Sequence, residues 1–350
     1  MKKRIGIIGC GKIAQVRHIP ELAAHPQAEI AGYFNPTRSR AEHMSSTYGG
    51  RVYDSIEDML ADPSVDAVVV SLANSVHAEV SIKAMLAGKD VLCEKPMATT
   101  LEDCEAMMEA ARKSGKLLLI AQNQRLTPAH RQARRMIAEG TIGRVLTFRT
   151  AFGHGGPETW SVNPGKGTWF FSKDTASMGA MADLGVHKLD LIDYLLDSRI
   201  TGVEAMLSTL DKTGQDGNPI AVDDNALCLL KMENGVVGTM TASWTYYGAE
   251  DNSTIIYGTG GILRIYDDPQ HSLRLIGSDG SVRNFDVEQI QTNDNQTFSG
   301  IAEALVDALF SRDGGDLAAE KVLPAMKAVF AAIRSNEEGR FVAIDYSCTK

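Results

Sequence analysis

Lys95, Asp183 and His187 stand in patterns that could bind an oxygen and move a proton. Lys95 belongs to Glu94-Lys95-Pro96, directly after the predicted strand 90–93, so we expect a lysine at the carboxyl end of a parallel strand. Asp183 and His187 are four residues apart, so a helix would carry both on one face. An ammonium can hydrogen-bond a hydroxyl or carbonyl oxygen, and a carboxylate can orient an imidazole that acts as a general base. The alternative is structural: a solvated strand end and the wet face of an amphipathic helix.

The predicted helix 180–196, which carries Asp183 and His187, also contains Gly185 and directly follows Gly179, and Asp190 falls near the same stripe. Glycine destabilises a helix interior by roughly 1 kcal/mol relative to alanine, so two glycines indicate that another group packs closely there. This composition favours a functional face.

The N-terminal segment supplies a phosphate-binding motif. An apolar run from Ile5 is followed by Gly9-x-Gly11-x-x-Ala14, the alanine-ended form of the dinucleotide fingerprint. Gly9 would permit the tight turn, Gly11 would let the backbone approach a pyrophosphate, and Ala14 would let the helix pack on the strand. Amide N–H groups at the start of that helix attract phosphate. We therefore expect coenzyme contacts from this loop, including Cys10, Lys12 and Ile13.

The end of the second predicted strand bears on coenzyme choice. A Rossmann fold usually places an acidic residue there, on the adenosine ribose, but this chain has Asn35. Asparagine would not repel a 2′-phosphate, and Arg38 or Arg40 could pair with one. The pattern favours NADP, or the use of both NAD and NADP, although Arg40 could instead lie on the surface of the next helix.

The remaining pattern defines the fold. Strand and helix signals alternate six times in about 120 residues, which predicts a doubly wound parallel sheet of the Rossmann type. In that region Ser55 with Asp58, and Thr99 with Glu102, are predicted helix caps. From Pro128 the pattern becomes strand-rich with short turns. We therefore expect a dinucleotide-binding domain over 1–123 and an α+β domain over 124–350, which would bind substrate and carry a large, mostly antiparallel open sheet.

Charge, hydropathy and cysteine content argue against several classes of protein. The net charge of −9 and the absence of a long basic cluster argue against a nucleic-acid partner. No apolar run approaches the ~18 residues of a membrane span, and the run after Lys2-Lys3-Arg4 is too short and glycine-rich for a signal peptide. Five cysteines without a C-x-x-C pair favour a reducing cytoplasm over a disulfide framework or a metal site.

Taken in order, Gly9-x-Gly11-x-x-Ala14, Glu94-Lys95-Pro96 and Asp183-x-x-x-His187 resemble the Gfo/Idh/MocA oxidoreductases, which include glucose–fructose oxidoreductase and inositol dehydrogenases. The resemblance covers the whole chain and implies that Lys95, Asp183 and His187 form the catalytic group. Family members commonly carry Thr-Pro-Asn after the fourth strand, where this chain has Leu72-Ala73-Asn74. Further coenzyme contacts are expected from Ser71, Leu72, Ala73, Asn74, His77, Glu94, Lys95 and Asn123.

The resemblance implies hydride transfer between nicotinamide and a hydroxyl-bearing carbon of a sugar, glycoside or inositol. His187 would exchange the hydroxyl proton, Lys95 would hold the oxygen, and Asp183 would orient His187 or a second hydroxyl. Arg125 matches the family's Asn-x-Arg and is expected near the substrate. In the variable loop, His154, Trp160 and Trp169 would face a sugar or cyclitol, although the tryptophans could equally pack the loop or contact a subunit.

Two other functions remain open at this stage. A glycosidase or lyase of the same fold would oxidise its sugar transiently and keep the NAD tightly bound. A coenzyme-binding regulator would not need a base. The resemblance also implies a homodimer or homotetramer formed through the C-terminal sheet, whose uncovered face would otherwise be exposed.

Overall fold

The computed structural model describes residues 2–287 and 298–347. Its first sheet is wholly parallel and has the spatial order 3-2-1-4-5-6. The apolar runs predicted as strands are buried in it, and the predicted Rossmann fold is confirmed. The strands are β1 (Lys3–Ile8), β2 (Ala28–Phe34), β3 (Arg51–Val52), β4 (Ala67–Val70), β5 (Asp90–Cys93) and β6 (Leu118–Ile120).

Helices connect these strands and cover both faces of the sheet. A π-helical turn, Ala14–His18, precedes the first helix. The helices are α1 (Ile19–Ala24), α2 (Arg38–Tyr48), α3 (Ile56–Ala61), α4 (His77–Leu86) and α5 (Leu101–Ser114).

One of the two predicted caps is correct. Ser55 accepts a hydrogen bond from the Asp58 amide at 3.0 Å, as expected for the start of α3. The predicted cap of α5 by Thr99 is wrong, because Thr100 accepts from the Asp103 amide at 3.0 Å. Both threonines are followed three residues later by an acid, so the sequence pattern fits either position.

The second sheet has nine strands in the order 14-13-12-11-7-10-9-8-15, numbered along the whole chain, and it is antiparallel except for the parallel pair formed by strands 7 and 10 of that numbering. The mostly antiparallel sheet predicted from the sequence is therefore confirmed. The strands are β7 (Val145–Gly153), β8 (Ile200–Ser208), β9 (Asn225–Met232), β10 (Val237–Ser243), β11 (Thr254–Gly258), β12 (Gly261–Ile265), β13 (Leu273–Gly277), β14 (Val282–Phe285) and β15 (Val342–Ala343).

The remaining helices are α6 (Pro128–Ala138), α7 (Pro157–Trp160), α8 (Lys173–Ala176), α9 (Val186–Leu196), α10 (Ile301–Ser311) and α11 (Ala319–Glu338). The helix predicted over 180–196 is not uniform, because a π-helical turn, Met181–Gly185, forms its first part. At Gly179 a Cβ atom would lie 1.7 Å from the Asp223 carbonyl oxygen, which is the close approach that the glycines indicated.

The last long helices join the two sheets. Ile301 and Leu305 of α10 are buried in the same core as Ile5 and Ile7 of β1. Helix α11 packs on β8 and α9 and also contacts α5. The domain division after residue 123 stays a prediction, and α10 packs across it.

Two further observations on the described residues concern the cysteines and the length of the apolar helices. Cys10, Cys93, Cys104 and Cys228 are buried free thiols, while Cys348 lies outside the described residues. No helix in the described ranges is long and apolar enough to cross a membrane.

Candidate active site

A cavity of about 400 Å³ lies between the carboxyl edge of the parallel sheet and the first turns that lead into α9. In open α/β sheets this edge is where ligands bind. Most predicted site residues line the cavity: Gly11, Lys12, Ile13, Asn35, Arg40, Ser71, Leu72, Ala73, Asn74, His77, Glu94, Lys95, His154, Trp160, Trp169, Asp183 and His187.

The glycine loop after β1 forms the floor of this cavity. Gly9 has a φ of +102°, and a Cβ atom there would lie 2.2 Å from the Ser71 carbonyl oxygen. A Cβ atom on Gly11 would meet only that same oxygen, at 4.0 Å, so the loop leaves open space above itself. Ala14 is fully buried against the sheet. The loop therefore fits a dinucleotide, with Gly11 and the adjoining amides positioned to hold the pyrophosphate.

Cys10 contributes its main chain to this loop. Its amide donates to Asn35 Oδ1 at 2.8 Å, and its carbonyl accepts from Gln15 Nε2 at 2.9 Å. Burial raises the pKa of the Cys10 thiol to about 12, although Arg40 opposes the change. The thiol is therefore protonated and inert at neutral pH.

The end of β2 carries no carboxylate in the cavity wall. Asn35 uses its amide within the protein, since its Nδ2 donates to the Thr37 carbonyl at 2.9 Å. Arg40 lines the cavity and donates to Asn163 Oδ1 at 2.9 Å, across the cleft. Arg38 does not line it, and its guanidinium pairs with Glu42 and Asp54 at the surface. Of the two arginines, the structure thus brings Arg40 into the cavity wall, and a coenzyme contact from Arg38 stays a prediction.

Lys95 and Asp183 meet at the centre of the cavity. Lys95 Nζ donates to Asp183 Oδ1 at 2.9 Å and to the Asp183 carbonyl at 2.8 Å. The second carboxylate oxygen accepts from Trp244 Nε1 at 3.0 Å. Burial acts to raise the pKa of Asp183, but the charges of Lys95 and His154 and these hydrogen bonds outweigh it and lower the pKa. Asp183 is therefore an anion that fixes the ammonium of Lys95.

The imidazole of His187 is oriented by a residue that sequence reasoning missed. His187 Nδ1 lies 3.0 Å from Gln122 Oε1, whereas Asp183 bonds to Lys95 and Trp244. Asp183 therefore does not hydrogen-bond His187, and the other expectation, that Asp183 orients a second substrate hydroxyl, stays a prediction. Burial and the charge of Lys95 lower the pKa of His187 well below its usual value. Gln122 follows β6 at the same sheet edge as Lys95, a position that could have signalled its role.

Glu94 holds the end of β5 to the first helical turn. Its Oε1 lies 2.7 Å from His18 Nε2, and both side chains are buried. Burial acts to raise the pKa of Glu94, but the hydrogen bond from His18 and the charges of His18, Arg17 and Lys95 bring it to about 2. Glu94 therefore fixes the end of β5 against the first helical turn at the cavity wall.

Aromatic side chains form the wall opposite the dinucleotide loop. Trp169 stacks on Phe170 with a centroid separation of 3.9 Å, and Trp160 lies 5.3 Å from Phe170 edge-on. His154 packs edge-on against Trp160, and its Nδ1 accepts from the Gly156 amide at 3.0 Å. This wall offers flat apolar faces beside polar tips, which suits a sugar ring.

Comparison with known proteins identifies the family. Residues 3–122 match the family described as "Oxidoreductase family, NAD-binding Rossmann fold", and residues 130–264 match "GFO/IDH/MocA C-terminal domain". The 1,5-anhydro-D-fructose reductase of Ensifer adhaerens is 32% identical over 261 residues, which cover 74% of each chain. This chain belongs to the Gfo/Idh/MocA oxidoreductase family.

Other Gfo/Idh/MocA relatives are similar over different lengths. The levoglucosan dehydrogenase of Pseudarthrobacter phenanthrenivorans is 34% identical over 224 residues, which span 59% of this chain and 56% of that relative. A solved structure of levoglucosan dehydrogenase, in complex with NADH and levoglucosan, has a TM-score of 0.84 at 23% identity and covers 98% of this chain and 99% of its own. The latter likeness shows a shared fold.

Two residues that match Gfo/Idh/MocA motifs lie away from the cavity. Arg125 forms a buried bidentate ion pair with Asp190 at 2.7 Å for each contact, so the structure contradicts its assignment to the substrate. A 3₁₀ turn, Asn123–Leu126, carries Arg125 towards α9. Asn123 lines a neighbouring cavity on the other side of His187 and does not line the cavity that holds Lys95 and Asp183.

The segment after β4, where the sequence departs from the family's Thr-Pro-Asn, is held by hydrogen bonds of Asn74 and His77. Asn74 Nδ2 donates to the Ala176 carbonyl at 3.0 Å, and the His77 ring lies 2.8 Å from the Pro96 carbonyl and 3.2 Å from the Leu72 carbonyl. Both side chains therefore brace the wall of the cavity. Across the described residues, no group of three or more potential metal-binding side chains is found.

Proposed function

We propose that this chain catalyses NAD(P)-dependent hydride transfer at a hydroxyl-bearing carbon of a sugar, glycoside or inositol. The observation that carries the proposal is the convergence of Lys95, from the end of β5, with Asp183 and His187, from the turns leading into α9, in one cavity beside the glycine loop. A cation, a fixed anion and a neutral imidazole in one cleft are suited to carbinol–carbonyl chemistry.

The protein groups would divide the reaction as follows. When bound, the coenzyme accepts or returns the hydride. In oxidation the electron pair of the substrate C–H bond departs as that hydride, and the hydroxyl proton passes to His187 Nε2. The carbinol carbon of the substrate thereby becomes a carbonyl carbon. Lys95 Nζ donates two hydrogen bonds to Asp183, so a third N–H can hold the substrate oxygen. Reduction would use the same groups in reverse.

A polyol ring is the substrate class best supported. The aromatic wall formed by Trp160, Trp169 and Phe170 offers apolar faces, and the opposite side of the cleft offers Lys95 and His187. The names of the relatives, levoglucosan dehydrogenase and 1,5-anhydro-D-fructose reductase, point to the same class.

We further propose that the chain can use both NAD and NADP. The family is NAD-binding, and in this chain Asn35, Pro36, Thr37 and Arg40 line the cleft at the end of β2. None of these four side chains would repel a 2′-phosphate, and Arg40 could pair with it.

The test is a screen of the full chain with sugars, glycosides and cyclitols, each offered with NAD⁺ and with NADP⁺. Substrate-dependent appearance of reduced coenzyme is the expected result. Conversion of a glycoside with no net change in coenzyme absorbance would indicate the glycosidase or lyase alternative. Binding of coenzyme without turnover of any compound would refute the dehydrogenase and favour a regulator.

We also propose that the chain forms a homodimer or homotetramer through its larger sheet. Met206 of β8 is paired with Leu227 of β9, and both are exposed together with Leu229 and Val237. Apolar side chains in adjacent strands would gain stability by being covered by a second copy. Light scattering should give at least a dimeric mass at micromolar concentration, and a monomeric mass would contradict the proposal.

A cytoplasmic location is proposed on chemical grounds. The four described cysteines are buried free thiols, which suits a reducing compartment. Fractionation of the source cells would test it, and recovery outside the cytoplasm would contradict it.

A further inference from the structure

Gln122 lies beside the reacting imidazole and is almost completely buried. It follows β6, and its Oε1 lies 3.0 Å from His187 Nδ1. Its Nε2 is buried and has no hydrogen-bond partner in the described residues. A buried amide that makes one side-chain hydrogen bond, to an imidazole, calls for an explanation, because leaving a buried donor unsatisfied costs free energy.

Two other buried histidines provide a comparison. The His154 ring accepts from the Gly156 amide through Nδ1, so its proton is on Nε2. The His130 ring lies 2.8 Å from the Gln124 carbonyl through Nδ1, so its proton is on Nδ1. The main chain thus fixes the tautomer of His154, and at His130 it acts together with the Thr127 hydroxyl, which lies 2.8 Å from the same nitrogen. By contrast, the hydrogen bond that residues 2–287 and 298–347 provide to the His187 ring comes from a side chain, that of Gln122.

We propose that Gln122 is a positioning residue: its Oε1 accepts the Nδ1 proton of His187 and so keeps Nε2 unprotonated and available to the substrate. The use of Nε2 as a base rests on the proposed dehydrogenase function. The tautomer itself is a property of the protein alone.

The tautomer matters because His187 is neutral. A neutral imidazole has one N–H and one acceptor nitrogen, and only the acceptor can take a hydroxyl proton. Burial, Lys95 and Arg17 disfavour the charged ring, while Asp183 and Glu94 favour it less strongly, and its pKa falls well below the usual value. With the proton on Nε2, the ring would present a donor to the substrate, and oxidation would lack its base.

Two substitutions separate positioning from packing. Gln122→Glu keeps the acceptor and adds a negative charge, which should raise the pKa of His187. The acid limb of the oxidation pH profile should then move up by about one unit or more, with kcat above that limb within a few-fold of wild type. Gln122→Met keeps the length and removes the acceptor, so kcat should fall about tenfold or more with KM within about twofold.

The control is Gln27→Glu, the same exchange at an exposed residue before the amino end of β2, on the opposite edge of the sheet. It should leave kcat and the pH profile unchanged. If Gln122→Met does not fold, the wild-type tautomer and the Gln122→Glu profile still decide the proposal.

The direct readout is long-range ¹H–¹⁵N correlation spectroscopy of the full chain labelled in histidine, with His187→Asn used to assign the resonance. Wild type should show His187 as the Nδ1–H form, Gln122→Met should shift it towards Nε2–H, and His154 should remain Nε2–H in both. A wild-type His187 protonated on Nε2, or a tautomer and pH profile unmoved by both Gln122 substitutions, would overturn the proposal. Because the spectra need no substrate, a protein with the expected tautomer and no dehydrogenase activity would refute the proposed function alone.

Discussion

Two cation–carboxylate pairs lie seven residues apart along the same helical segment, and they differ in what their cations can still do. Asp183 pairs with Lys95, and Asp190 pairs with Arg125. The exposed fractions are 14% and 6% for the Lys95 and Asp183 side chains, against 4% and 1% for Arg125 and Asp190. Both cations come from turns that follow neighbouring strands of the parallel sheet.

The difference lies in the hydrogen-bonding capacity that remains. Arg125 donates twice to Asp190, and further to the carbonyls of Asp316 and Lys321 at 3.0 and 2.9 Å. Burial acts to lower the pKa of Arg125, but Asp190 outweighs it and the pKa is raised. Lys95 keeps one N–H for a ligand and borders the cavity. A buried ion pair therefore serves binding only when its cation retains a donor that faces open space.

The largest expected effect is at the open pair. Lys95→Met should lower kcat by about 10²-fold or more, because the developing negative charge loses its cation. The melting temperature should fall, but less than for the enclosed pair, since Asp183 borders the cavity, where water can solvate its carboxylate. Steady-state kinetics with thermal unfolding would check both quantities, and near-wild-type turnover would remove Lys95 from the reaction.

The enclosed pair should behave in the opposite way. Arg125→Met leaves Asp190 as a buried carboxylate without its cation and should reduce the free energy of unfolding by about 3–5 kcal/mol. Activity per folded molecule should survive, because Arg125 does not line the cleft. Denaturant unfolding with active-site titration would test this, and an undiminished stability with lost turnover would reverse the distinction between the pairs.

The charge states also predict a pH dependence. His187 must be neutral to accept a proton, and its pKa lies well below the usual value, while the pKa of Asp183 is lowered too. The oxidation rate should therefore be level from about pH 8 to about pH 6 and decline only below that, as His187 gains a proton. A pH–rate profile of kcat tests this, and a decline that begins near pH 7 would contradict it.

The smallest effect is expected where the adenosine would bind. As in the two ion pairs, one arginine there is engaged by carboxylates and the other borders the cavity. Arg38 is engaged by Glu42 and Asp54, whereas the Arg40 guanidinium donates to the neutral Asn163 and borders the cleft. Arg40→Ala should raise KM for NADP⁺ a few-fold and leave KM for NAD⁺ unchanged, since only the 2′-phosphate would lose a partner. Arg38→Ala is the matched control and should change neither. If Arg38→Ala and Arg40→Ala raised KM for NADP⁺ equally, the ion pairs of Arg38 would not set it apart from Arg40 as a partner of the 2′-phosphate.

The sequence predicted the sheets well because strand patterns and the glycine fingerprint are local properties. It could not tell Arg125 from Lys95, since each matches a family motif after a strand and only tertiary packing reveals that Arg125 turns towards α9. It placed Asp183 beside His187 from their spacing, but the partner of His187 is Gln122, 65 residues earlier in the chain. Such long-range side-chain pairs leave no periodic signal in one sequence.

The five-residue turn Met181–Gly185 has a consequence for how this chemistry could be lost. A π-helical turn holds one residue more than an α-helical turn, so deletion of Leu184 would let this turn close with regular α-helical bonds and would change the angle between Asp183 and His187 about the helix axis. The carboxylate would swing away from the ammonium while the imidazole stayed where it is. A reading-frame-preserving loss of one codon could thus silence the protein and leave Lys95, Asp183 and His187 all still encoded.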